Sequence, residues 1–382
     1  MEQSLESLRE DINKTDEQIV ELFRHRMSVS SSVAEYKRAH GLPVLDAARE
    51  RALLSKISEL AGEEFDIYAR TLYNTMLDVS RAYQYSKLNP CSEMYGSIEK
   101  ALEDTSKVFP SRARVACQGV EGAYSQIAAE KFFELPEISY YPSFDSVFAA
   151  IENGECRYGV LPIENSTAGS VKKVYELMIK HSFNIVKSHR LKVSHNLLAK
   201  PGVKISEITE IFSHEQAINQ CSDFLKSLSG VKVTVCANTA MAAKSVAESE
   251  DKNAAALSSG SCAELYGLDI LASSVQDNDN NFTRFICISK DREIYPGADR
   301  ISLMMVIKNR PGELYRLLSC FNSLGIDMTK LESCPIPERD FEFMFYFDFI
   351  LSVYSPKLRQ LLCELEARGE RFRLMGAYCE TV

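Results

Sequence analysis

Asn281-Phe282-Thr283-Arg284-Phe285 is the stretch on which the reading of this chain turns. Before it runs a polar loop, Gln276 to Asn280 (QDNDN), which can bury nothing. After it comes Ile286-Cys287-Ile288, a β-branched run that reads as a strand entering a core. A threonine hydroxyl and a guanidinium are therefore delivered at a strand mouth, between two phenylalanines able to exclude water. Taken alone, the stretch reads as an ordinary strand with an exposed Thr and Arg, because short motifs match by chance.

Its surroundings change that reading. Strand-like runs at 114–117, 158–161, 211–212 and 233–235 each lead into a turn rich in small hydroxyl or amide residues. The turns are GVEGAYS (119–125), PIENSTAG (162–169), SHEQ (213–216) and NTA (238–240). Helix N-termini present unpaired backbone N–H groups, so such junctions are natural anion cradles. In open α/β sheets they converge at the carboxyl ends of the strands, where ligands sit. Each junction alone is an N-cap. Together with the Thr283 strand they imply a small polyanionic ligand.

The segments GVEGAYSQIAA, GVLPIENSTAGSV, SHEQAINQCSDFL, NTAMAAK, AAALSSGSCAELYGL and NFTRF, in this order across residues 112–290, resemble the signature segments of prephenate dehydratases. The resemblance implies two α/β lobes with the site in the cleft between them, as in periplasmic-type binding proteins. It also implies that prephenate loses water and carbon dioxide together to give phenylpyruvate. Thr283 is then the catalytic group, donating a hydrogen bond or relaying a proton to the departing hydroxyl. Ser125, Glu164, Asn165, Thr167, Ser213, Gln216, Gln220, Thr239, Phe282 and Arg284 are implied around the substrate. Phe282 and Phe285 would keep the site dry, and Glu164 is equally readable as a structural partner of Asn165.

With 382 residues the chain is long enough for two or three domains. A hydrophobic content of 45% and a charged content of 25% mark a soluble globular protein. A net charge of −9 argues against nucleic acid or an anionic membrane as partner, so positive sites for an anionic substrate must be local. The 11 cysteines are dispersed, with no CxxC and no metal-ligand spacing to the 6 histidines, which points to reduced cytosolic thiols and no metal. The polar start MEQSLESLRE reads as a helix and no signal peptide, and no apolar run approaches the ~20 residues of a membrane span. A cytoplasmic location is expected.

From Ser4 to about Lys37, apolar residues recur every seven positions in two rows, Leu5-Ile12-Ile19-Arg26-Val33 and Leu8-Thr15-Leu22-Val29-Tyr36. The spacing predicts a long helix with a continuous packing seam. Arg26 interrupts the seam, as a register-setting or snorkelling residue or as one that is liganded. Lys37 projects within roughly 20° of Arg26, whereas Arg9 points about 100° away from it. Gly41-Leu42-Pro43 ends the helix, Asp46 reads as the cap of a second, and Asp66 as the cap of a third running to about Tyr85. Ser80 and Gln84 share one face of that third helix.

Arg9, Arg26, Lys37, Asp46, Arg49, Glu50, Ser80 and Gln84 resemble, at the family's spacing, the active-site set of the all-helical chorismate mutases. There two long first helices intertwine and each pocket borrows an arginine from the other subunit, which agrees with the direction of Arg9. Chorismate rearranges to prephenate within one molecule, so no nucleophile or cofactor is required. Holding a dicarboxylate in its compact conformer and stabilising charge on the ether oxygen suffices. Arg9, Arg26 and Arg49 suit the carboxylates, with Ser80 assisting; Lys37 and Gln84 suit the ether oxygen. Glu50, with the Asp46 backbone, would orient the ring hydroxyl.

Residues 88–111 read as a linker with one short helix at 97–102. Beyond about 299 the pattern is strand, helix, two strands, helix, strand: a ferredoxin-like βαββαβ. NRPGELYRLLSCF and KLESCPI resemble an ACT domain, whose equivalent segments line a phenylalanine site at a subunit interface. Pro311, Gly312, Glu313, Leu314, Glu332, Ser333, Cys334 and Pro335 are the implied effector residues. Two depart from the family's pattern, which has Arg where Cys334 stands and Ala where Glu313 stands. The alternative is a dimerisation domain without a ligand.

The resulting expectation is multidomain: an all-α mutase domain (1–88), a two-lobed α/β dehydratase domain (112–290) and an α+β ACT domain (299–379). They would make phenylpyruvate from chorismate, with phenylalanine as effector, in a homodimer or higher homo-oligomer. The competing expectations are an amino-acid-binding regulatory protein and an enzyme with one inactive site.

Overall fold

The structure, a computed structural model, describes residues 4–88, 92–307, 310–335, 343–368 and 371–382. The chain forms two compact units, Met1–Lys100 with Ser302–Arg373 and Ala101–Ile301 with Leu374–Val382.

In the first unit, α1 (Leu5–Ala39) begins where the Ser4 hydroxyl accepts the Ser7 N–H at 3.2 Å. Ala34 is the one buried residue of its 35, and Leu22 in the apolar seam is 68% exposed. Such a helix gains little from packing on its own chain, and length alone holds helices only marginally. Next comes α2 (Ala47–Lys87), capped as expected by Asp46, which accepts the Arg49 N–H at 2.9 Å. The break into a further helix falls at Gly62, not at Asp66. Gly62 has φ 70° and ψ 173°, a conformation that costs glycine little. Asp66 caps nothing, and its Oδ1 is buried without a hydrogen-bond partner. The break folds the halves of α2 together, since Arg81 and Glu50 form an ion pair. Their separation of 31 positions would span about 46 Å of straight helix. The short helix expected at 97–102 is α3 (Glu93–Asp104).

The second unit contains β1 (Arg112–Gln118), α4 (Tyr124–Phe132), β2 (Leu135–Tyr141), α5 (Phe144–Glu152), β3 (Tyr158–Asn165), β4 (Gly169–Ser170), α6 (Lys172–His181) and β5 (Asn184–Lys192). A second lobe follows: β6 (Asn196–Ala199), β7 (Glu210–Ser213), α7 (Glu215–Gln220), α8 (Ser222–Ser227), β8 (Lys232–Val235), α9 (Thr239–Glu248), β9 (Ala254–Ser258), α10 (Gly260–Tyr266) and β10 (Asp269–Ala272). Its 5-stranded sheet runs β10-β6-β9-β7-β8. The small side chains of Ala254 and Ala256 on β9 let Ala240, Ala243 and Val246 of α9 pack closely over that sheet. The chain then returns as β11 (Phe282–Ser289) to complete the first sheet, β2-β1-β3-β11-β5. There β11 lies antiparallel to both neighbours, buried along seven of its eight positions.

The lobes are thus joined by two crossings of the chain, after β5 and before β11. These are laced together: Val193 N–H donates to Asn281 O at 2.8 Å, Val275 N–H to His195 O at 2.8 Å, and His195 N–H to Gln276 Oε1 at 3.0 Å.

The remaining elements are β12 (Arg300–Ile307), α11 (Glu313–Ser323), β13 (Asp327–Pro335), β14 (Phe343–Ile350), α12 (Pro356–Ala367), β15 (Arg371–Tyr378) and β16 (Glu380–Thr381). The first six run β-α-β-β-α-β, with strand order β13-β14-β12-β15. Both α11 and α12 pack on α2, which is why the first and last segments of the chain share a unit. Among the described residues no helix is long and apolar enough to cross a membrane.

At Gly376 on β15 the backbone of Ile185 on β5 comes so close that an added Cβ would stand 2.4 Å from the Ile185 carbonyl oxygen. Gly376→Ala is therefore expected to destabilise the second unit by about 1–3 kcal/mol, the usual cost of overpacking. Urea unfolding checks this, and an unchanged midpoint would mean that the strands can separate without cost.

Candidate functional site

Between the lobes of the second unit lies a cavity of about 430 Å³. Thr283 and Phe285 of β11 line it, with Asn165 of β3, Gln216 and Gln220 of α7, Ser125 of α4 and Thr239 of α9. Among the described residues its wall includes no Asp, Glu, Lys or Arg. Positive potential comes instead from the opening turns of α4 and α9, which start in the wall at Tyr124 and Thr239.

Asn165 organises the floor. Its Nδ2 donates to Thr283 Oγ1 and to Asn281 Oδ1, each at 2.9 Å. Its Oδ1 accepts the N–H groups of Thr167 at 3.0 Å and Ala168 at 2.9 Å. With its oxygen taken as acceptor, Thr283 keeps its O–H proton to donate. Asn281 Nδ2 in turn donates to Gln220 Oε1 at 2.9 Å, and His195 Nε2 lies 3.0 Å from the same oxygen. An acceptor at that distance fixes the histidine proton on Nε2. His195 Nδ1 is then a bare lone pair, buried without a partner. Burial lowers the His195 pKa, against a smaller opposing effect of the Gln220 bond, and favours the neutral ring.

The other residues expected around a substrate are placed differently. Thr167 lines an adjoining cavity of about 520 Å³ that shares His214, Gln216 and Gln220 with the first. Ser213 is fully buried and donates to Leu257 O at 2.7 Å, so it braces the β7 end. Phe282 is not among the lining residues, and neither are Glu164 and Arg284. Arg284 instead meets Glu380 at 3.0 Å, Ser188 at 3.2 Å and Glu164 at 3.7 Å, and donates to the Tyr378 hydroxyl. In this arrangement it ties down the last residues of the chain and does not face the cavity. Strand alternation gives the reason: Thr283 and Phe285 share one face of β11, Phe282 and Arg284 the other. Asn281 and Tyr124 stand within the quoted segments without being singled out there, and His195, on a crossing between the lobes, carries no diagnostic spacing.

In the first unit, Ser80 Oγ donates to Ser30 Oγ at 2.9 Å, and Gln84 Nε2 to Ser80 Oγ at 3.4 Å. Arg26 Nη1 and Gln84 Oε1 are both buried without a hydrogen-bond partner. Lys37 Nζ donates to Val44 O at 2.6 Å. Arg9, Asp46 and Arg49 are exposed, and Glu50 is bound by Arg81. Of the expected effector residues, Pro311, Gly312 and Ser333 are exposed and Cys334 is buried. Leu314 and Glu332 are half-buried, and Glu313 pairs with Arg316 at 3.5 Å. Pro335 closes β13, its side chain outside the described residues.

Two family models match the chain, "Chorismate mutase type II" over residues 8–85 and "Prephenate dehydratase" over residues 115–293. The bifunctional chorismate mutase/prephenate dehydratase of Escherichia coli (strain K12) is 30% identical over 387 aligned positions, covering 99% of this chain and 96% of that protein. Among solved structures, "GqqA- a novel type of quorum quenching acylases" is 31% identical with a TM-score of 0.64, covering 70% of this chain and 98% of that one. The prephenate dehydratase of Arthrobacter aurescens, solved in complex with L-Phe, has a TM-score of 0.62 at 23% identity, covering 70% of this chain and 89% of that one.

The buried neutral His195 makes stability depend on pH with a defined sign. A pKa lowered on folding contributes stability that is complete above the unfolded value of 6.5 and is lost as pH falls through the folded value. Stability of the second unit is therefore expected to fall between pH 7.5 and pH 5, and His195→Asn to flatten part of that slope. Urea midpoints at both pH values test it; an identical slope in the variant would mean that His195 titrates freely in the fold.

Proposed function

We propose how this chain works from one premise, that it belongs to the family of bifunctional chorismate mutase/prephenate dehydratases. It is an enzyme of phenylalanine biosynthesis with both activities, chorismate mutase and prephenate dehydratase.

The observation that carries the dehydratase reading is the Thr283 hydroxyl, its oxygen committed to Asn165 and its proton free, in a wall without charged side chains. Prephenate would lie with its departing hydroxyl at Thr283. As the ring carboxylate leaves as carbon dioxide, electrons move toward the carbon bearing that hydroxyl, and the O–H of Thr283 helps it leave. Negative charge building on the threonine oxygen is met by the Asn165 N–H already aimed at it. The helix starts at Tyr124 and Thr239 suit the side-chain carboxylate. The acylase named among the solved structures shares the fold, and fold alone does not carry activity. A serine acylase needs a base on its nucleophile. Ser125 and Ser213 instead donate to backbone carbonyls at 2.6 and 2.7 Å.

For the mutase, the buried unpartnered Arg26 nitrogen is the supporting observation, a cation left for a ligand to satisfy. Arg26, Arg49 and a partner's Arg9 would hold the two carboxylates, Lys37 and Gln84 the ether oxygen, and Glu50 the ring hydroxyl. The two exposed apolar rows of α1 call for a second copy of the same helix, which supports a homodimer with shared pockets. Phenylalanine is the proposed effector of the C-terminal segment, with affinity tempered by Cys334 and Glu313.

Two outcomes test this reading. Thr283→Val is expected to lower dehydratase turnover by about 10²–10⁴-fold while leaving the mutase intact. Lys37→Ala is expected to do the converse, with a loss of about 10²-fold or more. Near-normal dehydratase turnover in Thr283→Val would remove the proton-donor role. Separately, mixing Arg9→Ala with Arg26→Ala chains is expected to restore part of the mutase activity that each lacks. No recovery in demonstrated heterodimers would exclude shared pockets.

A further inference from the structure

A buried charge cluster in the first unit links the mutase helices to the C-terminal segment. Arg81, on the second half of α2, is 5% exposed. Its guanidinium is shared by three carboxylates: Glu50 at Nη1, Asp78 at Nη2, and Glu364 of α12 at Nε, 2.8 Å away. Arg368, which ends α12, meets Asp78 at 3.0 Å and Glu364 at 2.8 Å. Ser319 of α11 donates to Asp78 at 2.7 Å.

The members are not equally held. Asp78 and Glu364 each face both arginines, so these four groups balance. Glu50 adds a third carboxylate and draws on Arg81 alone among the ion pairs of the described residues. Its side chain is also the most exposed of the cluster, at 23%. Glu50 is therefore the loosest member and the one that looks outward.

We infer that Arg81 is a positioning residue of the mutase, holding the Glu50 carboxylate in place, and that α12 sets this hold through Glu364 and Arg368. The inference rests on the reading that Glu50 orients the ring hydroxyl of chorismate. A guanidinium is a planar, rigid fork, so a carboxylate that turns its Nε edge also turns the Nη1 edge that Glu50 occupies. Buried charges cannot be left unpaired at low cost, so a shift of α11 or α12 must be followed by Arg81. The C-terminal segment thereby gains a direct line to a mutase side chain without touching the substrate. Other ionisable groups facing the cluster are Tyr85 and Cys320, with Cys363 beside Tyr85. Burial pushes the tyrosine pKa up, and that of Cys320 to about 12, so both stay neutral from pH 5 to 8.

The test uses the full chain with Glu50→Gln, Arg81→Gln, Glu364→Gln and the Glu50→Gln/Arg81→Gln double variant. Mutase kcat and KM are measured from pH 5 to 8, with thermal unfolding and dehydratase turnover on added prephenate as controls. Arg81→Gln and Glu364→Gln are expected to lower mutase kcat/KM roughly tenfold or more, the scale of one charge-assisted hydrogen bond, with dehydratase turnover unchanged. In Arg81→Gln the loss grows toward pH 5, because Glu50 then stands beside Asp78 and Glu364 without its counter-charge. The double variant is expected to be no worse than Glu50→Gln alone, since Arg81 acts through Glu50. Losses that multiply, or mutase within twofold of normal in both Arg81→Gln and Glu364→Gln while Glu50→Gln is inactive, would overturn the inference. Full mutase activity in Glu50→Gln would instead overturn the reading beneath it. Should Arg81→Gln not fold, Arg81→Lys keeps the charge and loses the fork; it is expected to show the same split in smaller measure, and normal kinetics there would count against the inference.

Discussion

The Asn165 side chain is the constraint on which the dehydratase half depends. Its amide spends its donors on Thr283 and Asn281 and its acceptor on two backbone N–H groups of the following turn. A buried amide left unsatisfied would be costly, so each partner is pinned by the same requirement that pins Asn165. Through Asn281 and Gln220 the chain of bonds reaches His195, and through His195 the two crossings that join the lobes. The orientation of a single hydroxyl is thus fixed by a network that also sets how the lobes meet.

The first unit handles polar burial in the opposite way. One cluster, around Arg81, is densely paired across α2, α11 and α12, while Arg26 on α1 keeps a buried nitrogen with no hydrogen bond. Full pairing rigidifies, and an orphaned donor awaits a partner. That contrast separates side chains held by pairing from a donor left for a ligand within one unit, where composition alone shows only arginines and carboxylates.

Much of this was legible in the sequence, for identifiable reasons. The seven-residue rows of α1, the Asp46 cap and the βαββαβ order all follow from local periodicity and capping chemistry, which leave marks at fixed spacing. The strand carrying Thr283 was readable from its β-branched continuation. What was not legible depends on contacts between distant positions. Arg284 looked like a substrate cation because its partner Glu380 lies far along the chain. Strand alternation, applied to residues 282–285, would have turned it away from the cavity. The hinge of α2 was placed at Asp66 by its side chain, whereas the backbone freedom of Gly62 decided it. Arg81 had no marker at all, since its role exists only once α12 is packed on α2.

The two proposed sites treat a dianionic substrate in opposite ways, and the chemistry of each explains the choice. A rearrangement within chorismate keeps both carboxylates, so cations such as Arg26 and Arg49 could grip them without opposing the reaction. Prephenate must lose one carboxylate as carbon dioxide. A cation fixed on that group would stabilise the ground state more than the charge-dispersed transition state and would slow the step. A wall of amides, hydroxyls and helix starts, with the nearby Arg284 turned to Glu380, would bind the retained carboxylate and leave the departing one uncompensated. Within an acidic chain of net charge −9, cations gathered at one site and kept from the other are therefore two answers to one physical question, whether the bound charge has to stay or leave.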